Sequence, residues 1–326
     1  MALTWWKYKR TIAIDNSNNS NALTDYQVKI DLDNSNFDFS KAKADWSDIR
    51  FLDSDDSTSL DYWIEKWDSA NNQAVVWAKV PDIPASSIYD IYMYYWNNNA
   101  TSESNWGNTF DYFDDFESYA SNTDINGQDG WTTKRIGGSG EAKVKVWNGR
   151  NHLHLSSTDA ATTVIHPFNS SNTGYILRAY LVADDWDEAF SLAFTDDQVT
   201  SGGNVYNGYE GVVWGWQGVQ TKMRKWTNGN ATDLASMSDS NQNNVYYKIE
   251  LRWINDNLYL WRDGNVILNA TDTTYTSRSY IHLDEWTGTS RYIDYVLTRK
   301  YASSEPTTAV GVEQQLQNAI FYSFNF

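Results

Sequence analysis

Apolar and polar residues alternate with a period of two through long stretches of this 326-residue chain. YQVKIDL sets Tyr26, Val28 and Ile30 against Gln27, Lys29 and Asp31. YYKIELRW sets Tyr247, Ile249, Leu251 and Trp253 against Lys248, Glu250 and Arg252. This is the repeat of a strand with one face buried. Turn signals separate such runs: DNSNNSN, DSDDSTS, NGQDG, GGSG, TNGN and RDGN. Asn-Gly and Asp-Gly supply the positive φ angles that tight hairpins need. No stretch has a helical period with caps, and FSKAKADW offers one short helical turn. The chain is therefore expected to be all-β, built as sandwiches.

The length exceeds one ordinary core, so two domains are expected. The polar stretch WNNNATSESNWGN, residues 96–108, reads as a linker. It places one β-sandwich at 1–108, a second at 109–300 and an extended tail at 301–326. The closing AIFYSFNF puts Ile320, Tyr322, Phe324 and Phe326 on one face. A strand like that needs a sheet edge, in its own chain or in a second copy, so a homo-oligomer joined through this segment is one expectation.

Charge excludes some partners. There are 25 Lys and Arg against 42 Asp and Glu, a net charge of -17. That field repels phosphate backbones and anionic bilayers, so neither nucleic acid nor membrane is an expected partner. Cysteine is absent, which removes disulfides, thiolate metal sites and cysteine nucleophiles. No apolar run is long enough to cross a bilayer. The opening MALTWWKYKR lacks the form of a signal peptide: either a leader was removed and Met1 added, or the protein is made without one. Five Asn-x-Ser/Thr sequons, at Asn18, Asn99, Asn169, Asn230 and Asn269, agree with an outside location. The 17 Trp and 22 Tyr can fill a core between sheets, and so many Trp also suggest flat apolar binding surfaces.

The first third carries WWKYKRTIAI, LTDYQVKIDL and the long run from DIRFLDSDDSTSLDYWIEKW to IYDIYMYYWNNNATS, and the second domain closes on DYVLTRKYASSEPTTAVGVE. These residues resemble domain of unknown function 2341, a module of archaeal and bacterial surface proteins often found beside sugar-binding or adhesive modules. In the middle, FDDFES, YYKIELRWINDNLYLWRDGNVI and RYIDYVLTRKY are similar to concanavalin-like, laminin-G-type jelly rolls. That resemblance implies a structural calcium near an acid-rich leading strand and an Asp of the closing strand. The matching positions are Asp114, Asp115, Glu117 and Asp294.

YFDDFES packs three of these acids between aromatic residues. As a strand it would put Phe113, Asp115 and Glu117 on one side and Asp114, Phe116 and Ser118 on the other. One or two acids could then join Asp294 and backbone carbonyls around a hard cation, which takes six to eight oxygens. The alternative is polar strand positions paired with Lys or Arg. DSDDSTSLD resembles a calcium loop but has Thr58 and Ile64 where that loop needs Gly and Glu, so it reads as a hairpin turn. His152 and His154 share a strand face without a third ligand.

No catalytic constellation stands out. β-Glucanases related to these jelly rolls carry a Glu-x-Asp-x-x-Glu strand, and no such run occurs here. Asp184, Asp185, Asp187 and Glu188 read as a turn. Asp284 and Glu285 face opposite ways on a strand and read as solvated. There is no nucleophile elbow, zinc-protease helix or phosphate loop. Among the aromatics, Trp214 and Trp216 share one strand face, and Tyr259 and Trp261 another. Exposed rings of this kind stack sugars while neighbouring polar groups take the hydroxyls.

The expected function is non-catalytic recognition of a surface, most simply a glycan or cell-surface polymer, by an extracellular, cell-surface or virion protein. Two alternatives stand beside it: a structural virion or filament subunit without a sugar ligand, and a glycosidase or lyase on the same jelly roll.

Overall fold

The computed structural model describes residues 5–171, 173–185, 189–214, 220–286, 288 and 290–316. The chain forms two compact units, Met1–Asp111 with Ala302–Phe326, and Tyr112–Tyr301. Six strands open it: β1 (Tyr8–Asp15), β2 (Leu23–Asp33), β3 (Arg50–Leu52), β4 (Tyr62–Asp68), β5 (Gln73–Ile83) and β6 (Ile88–Tyr95). The second unit contains β7 (Tyr112–Asp114), β8 (Thr132–Arg135), β9 (Glu141–Trp147), β10 (Arg150–Ser156), β11 (Thr162–Ser171), β12 (Tyr175–Ala183), β13 (Ala189–Thr195) and β14 (Gly208–Trp214). It continues through β15 (Gln220–Thr227), β16 (Asn230–Ser238), β17 (Tyr247–Ile254), β18 (Asn257–Arg262), β19 (Asn265–Thr271), β20 (Ser277–Glu285) and β21 (Ser290–Lys300). β22 (Thr307–Gln315) follows.

In the first unit a four-stranded sheet, β22-β1-β6-β3, and a three-stranded sheet, β2-β5-β4, bury Ile12, Ile14, Val28, Ile30, Val76 and Ile91 among other residues. Fully burying such side chains is worth about 1.5–3 kcal/mol each. Part of the segment read as a tail belongs here: Thr307–Gln315 runs antiparallel to β1, with Tyr8 opposite Gln315. Ile320, Tyr322, Phe324 and Phe326 lie outside the described residues. The polar stretch 96–108, read as a linker, is bound to the first unit. Asn105 N donates to Tyr62 O, Ile64 N donates to Ser104 Oγ, and Arg50 pairs with Glu103 at 2.7 Å. The helical turn expected in FSKAKADW is a 3-10 turn, Phe39–Lys41, capped by the Asp38 carboxylate.

The second unit is an antiparallel sandwich of the jelly-roll class. One sheet runs β19-β18-β17-β12-β21-β10-β9, with β7 paired to β21; the other runs β16-β15-β14-β13-β20-β11-β8. Two hairpins turn where TNGN and RDGN signal them, at Asn228-Gly229 and Asp263-Gly264, and a third turns at Asn148-Gly149; all six residues have positive φ. Alternate residues point inward: Leu177, Ala179 and Leu181 with Ile249, Leu251 and Trp253 from one sheet, and Phe190, Leu192 and Phe194 with Tyr209, Val213, Ile281 and Leu283 from the other. Gly211 sits in this interface without a side chain because a Cβ there would stand 2.6 Å from Leu260 Cδ1. Among the described residues no helix is long and apolar enough to cross a membrane.

Candidate functional site

The outward residues of the β14-β13-β20 centre include three ionisable groups fully shielded from solvent: Glu210, His282 and Asp284. Register brings them together. Ala193 of β13 lies opposite Glu210 on one side and His282 on the other, while Ser191 lies opposite Asp284. The small side chains of Ser191 and Ala193 let the longer acids reach across β13. Ser191 Oγ donates to Asp284 Oδ1 at 2.5 Å and also lies within reach of the Glu210 carboxyl.

Donors hold one oxygen of each acid. Trp226 Nε1 donates to Glu210 Oε2 at 2.7 Å, and Trp286 Nε1 to Asp284 Oδ1 at 3.2 Å. The other oxygens, Glu210 Oε1 and Asp284 Oδ2, have no hydrogen-bond partner among the described residues. The same is true of both ring nitrogens of His282 and of Trp214 Nε1. His282 Nε2 comes within 3.2 Å of Asp284 Oδ2, an ion-pair distance, but off the direction a hydrogen bond requires. Burial pushes the Glu210 carboxyl up, and the negative charge of Asp284 pushes it further; Arg224, Trp226 and Ser191 pull the other way. Arg224 compensates incompletely. Its Nη1 stands 3.8 Å from Glu210 while its Nε donates to Asp233 at 3.1 Å.

The rim of this cluster is aromatic. Trp214 and Trp286 meet edge to face with centroids 5.4 Å apart, and the Arg224 guanidinium lies 5.4 Å from the Trp286 ring. These three are only half-buried, so they are the members of the cluster that reach solvent. On the other side, the loop 196–207 covers the sheet: Thr163 Oγ1 donates to Gly203 O at 2.8 Å, and Val205 packs with Ala193 and Trp226.

The four aromatic residues singled out in the sequence do not form one surface. Trp214 belongs to this cluster. Trp216 lies outside the described residues. Tyr259 and Trp261 lie in β18, in the other sheet, where the Arg252 guanidinium stacks on Trp261 at 3.7 Å and Tyr259 meets Tyr301 at 6.4 Å. Asp284 and Glu285 do face apart, but the solvated reading of them is wrong: both are fully buried in β20. Glu285 accepts from Ser157 Oγ at 2.8 Å. Glu210 escaped notice altogether. The available signal was a lone charge inside the apolar run GYEGVVW, with the same parity as Trp214.

The proposed metal residues also separate. The chain leaves β7 at Asp114, and Phe116 takes a φ of 59° and enters the core, so strand alternation stops there. Asp114 is satisfied internally, accepting from Phe116 N at 2.8 Å, Trp131 Nε1 at 2.8 Å and Tyr119 Oη at 3.0 Å. Glu117 and Asp294 instead meet Arg150, at 3.0 Å and 3.2 Å, and Asp115 adds its charge to the same group. A cation is therefore supplied by the chain itself. Asp294 Oδ1 still has no hydrogen-bond partner among the described residues. Asp115, Glu117 and Asp294 would suit a hard cation in charge and oxygen chemistry, but the guanidinium occupies that position, and among the described residues no group of three or more His, Asp or Glu is arranged to hold a metal. His152 and His154 have separate partners. His152 Nε2 is 2.9 Å from Tyr246 Oη, and His154 Nδ1 is 3.3 Å from Glu141. Burial and the nearby Lys145 bring His154 down to about 4, so it is neutral at physiological pH.

With two sandwich units and a buried polar cluster under indoles established, comparison with known proteins adds the following. Residues 45–134 match the family model of a domain of unknown function (DUF2341). No curated protein matches the chain. Among solved structures, the chain is similar to the carbohydrate-binding module CBM66 from Bacillus subtilis, at 17% identity over 52% of this chain and 96% of that one, with a TM-score of 0.42. It is similar to the VIP36 exoplasmic/lumenal domain in a Ca2+/Man3GlcNAc-bound form, at 11% identity, 55% and 94% coverage and a TM-score of 0.42. It is also similar to the apo Crh5 transglycosylase, at 14% identity, 60% and 86% coverage and a TM-score of 0.41. Binding proteins and an enzyme stand side by side in this set, and it does not decide between those functions.

Proposed function

We propose that the second unit recognises a glycan, without turning it over, on the outer face of the β14-β13-β20 centre. One observation carries this reading: hydrogen-bonding atoms of Glu210, Asp284, His282 and Trp214 stand without partners among the described residues beneath the Trp214–Trp286 pair. Buried polar atoms are normally paired, because an unmade hydrogen bond costs about 1–3 kcal/mol. A polyhydroxylated ring offers donors and acceptors to the floor and an apolar C–H face to the indoles. The resemblance of the first unit to modules of surface proteins supports an extracellular or surface setting. A glycan array with the full chain tests the reading. Binding should quench tryptophan fluorescence and weaken by roughly tenfold or more in Trp286→Ala. Binding indifferent to Trp214→Ala, Trp286→Ala and Asp284→Asn would place the ligand elsewhere.

The meeting of Glu210 and Asp284 over Ser191 also favours a second reading, hydrolysis of the bound glycan. A glycosidase needs two carboxyl groups with one protonated at working pH. Full burial of both acids supports the binding reading. Release of reducing ends that disappears in both Glu210→Gln and Asp284→Asn would establish the enzyme instead.

A further inference from the structure

We propose that the glycan held under Trp214 and Trp286 carries a free amine, so that its ammonium group sits between Glu210 and Asp284. This rests on the glycan reading above and names its chemical class. Two carboxylates share one solvent-free cluster. Each keeps one oxygen occupied by a fixed donor and one without a partner among the described residues. The cationic groups of the chain hold them loosely: Arg224 stays 3.8 Å from Glu210 and is hydrogen-bonded to Asp233, and His282 Nε2, 3.2 Å from Asp284, is off the direction of a hydrogen bond. Two like charges away from water are unfavourable until a proton or a cation joins them. A neutral hydroxyl could fill the hydrogen-bonding vacancy, whereas an ammonium would fill it and offset the charge as well. Charge-assisted hydrogen bonds are roughly twice as strong as neutral ones.

The surroundings suit a sugar carrying that group. The indole of Trp286 offers a stacking face, and His282 and Trp214 Nε1 offer polar atoms to ring hydroxyls. Access would have to come past Trp214, Arg224 and Trp286, the half-buried members of the cluster. The groups facing Glu210 are Asp284 and His282 on β20, Ser191 on β13, and Arg224 and Trp226 on β15. Burial and Asp284 hold the free Glu210 carboxyl above its ordinary range.

The test compares short glucosamine oligomers, N-acetylglucosamine oligomers and neutral β-glucan oligomers of equal length on the full chain by isothermal titration near pH 6 in physiological salt. The glucosamine oligomer should bind about tenfold tighter than the other two, the difference between a charge-assisted and a neutral hydrogen bond. Glu210→Gln and Asp284→Asn should each abolish that preference, while Asp31→Asn, an exposed acid of the first unit, keeps it. The comparison of the three oligomers is made on the native chain and needs no variant. N-acetylated or neutral oligomers binding as well as glucosamine would overturn the proposal and leave the glycan reading intact. A preference that survives both substitutions would be surface attraction to a chain of charge -17, and would also overturn it. No binding of any of the three would overturn the amine proposal, and the glycan array decides the broader reading separately.

Discussion

Arg150 holds Asp294 in place of a metal: its Nη1 lies 3.2 Å from the Asp294 carboxylate, and its Nε donates to Glu117 at 3.0 Å. Removing the guanidinium should therefore create a cation site. In Arg150→Ala, calcium should raise the melting temperature and chelation should reverse the rise, since a ligand bound only by the folded state stabilises it by mass action. The native protein should be unaffected by either. A native melting temperature that falls with chelator would show that the acids hold an ion despite Arg150.

Asp294 itself sets a pH dependence. Burial pushes its carboxyl up to about 6, with Arg150 opposing and Glu117 and Asp115 reinforcing the rise. The folded value lies above the unfolded one, so the protonated acid is the form the fold prefers. Its contribution is full below about pH 4 and is lost as pH rises through about 6. Linkage puts the loss at up to about 3 kcal/mol. Asp294→Asn should flatten the stability profile between pH 4 and 7 and melt no lower than the native chain at pH 7. An Asn variant with the native pH profile would contradict this.

Glu250 behaves in the opposite sense. It accepts from Arg178 and Arg252 at 2.6 Å each, buried in its sheet. Burial pushes the carboxyl up, but Arg178, Arg252 and Arg299 outweigh it and hold it at about 2. The stability it contributes is present above pH 4.5 and is lost as pH falls toward 2. Glu250→Ala leaves buried guanidinium groups without that acceptor, and should cost about 3–5 kcal/mol in denaturant unfolding. A loss below 1 kcal/mol would mean that these arginines are solvated.

The closing strand of the first unit depends on Glu313. Its carboxylate accepts from Lys41 at 2.5 Å and from the buried Tyr95 hydroxyl at 2.7 Å. Glu313→Ala should destabilise the first unit by about 1–2 kcal/mol, with Glu313→Gln intermediate. Hydrogen exchange of the β22 amides reads the effect locally, and unchanged protection there would argue against it.

The fold was legible wherever a rule is local. Period two marked the strands, and Asn228-Gly229 and Asp263-Gly264 marked two hairpins, because each turn is decided by two residues. The alternation projected through Asp114 to Glu117 failed for a reason the local pattern omits. Phe116 gains more by entering the core than by continuing the strand, and its positive φ sends Glu117 toward Arg150. The site was less legible. Glu210 and Asp284 meet only because β20 lies beside β13 and β13 beside β14, an order that skips over intervening strands. Alternation gives the face of each residue and is silent on which strands become neighbours.

The pairing of β1 with β22 has a consequence for synthesis. The first unit is interrupted, with its edge strand encoded after the second, so it cannot close while the ribosome is still translating the second. The inserted unit solves the distance problem it creates. Its own first and last strands are neighbours, Tyr112 opposite Thr298. Once it folds, the two flanking segments emerge a strand spacing apart, and a long loop closure becomes a short one. The topology thus favours folding of the inserted unit before closure of the first.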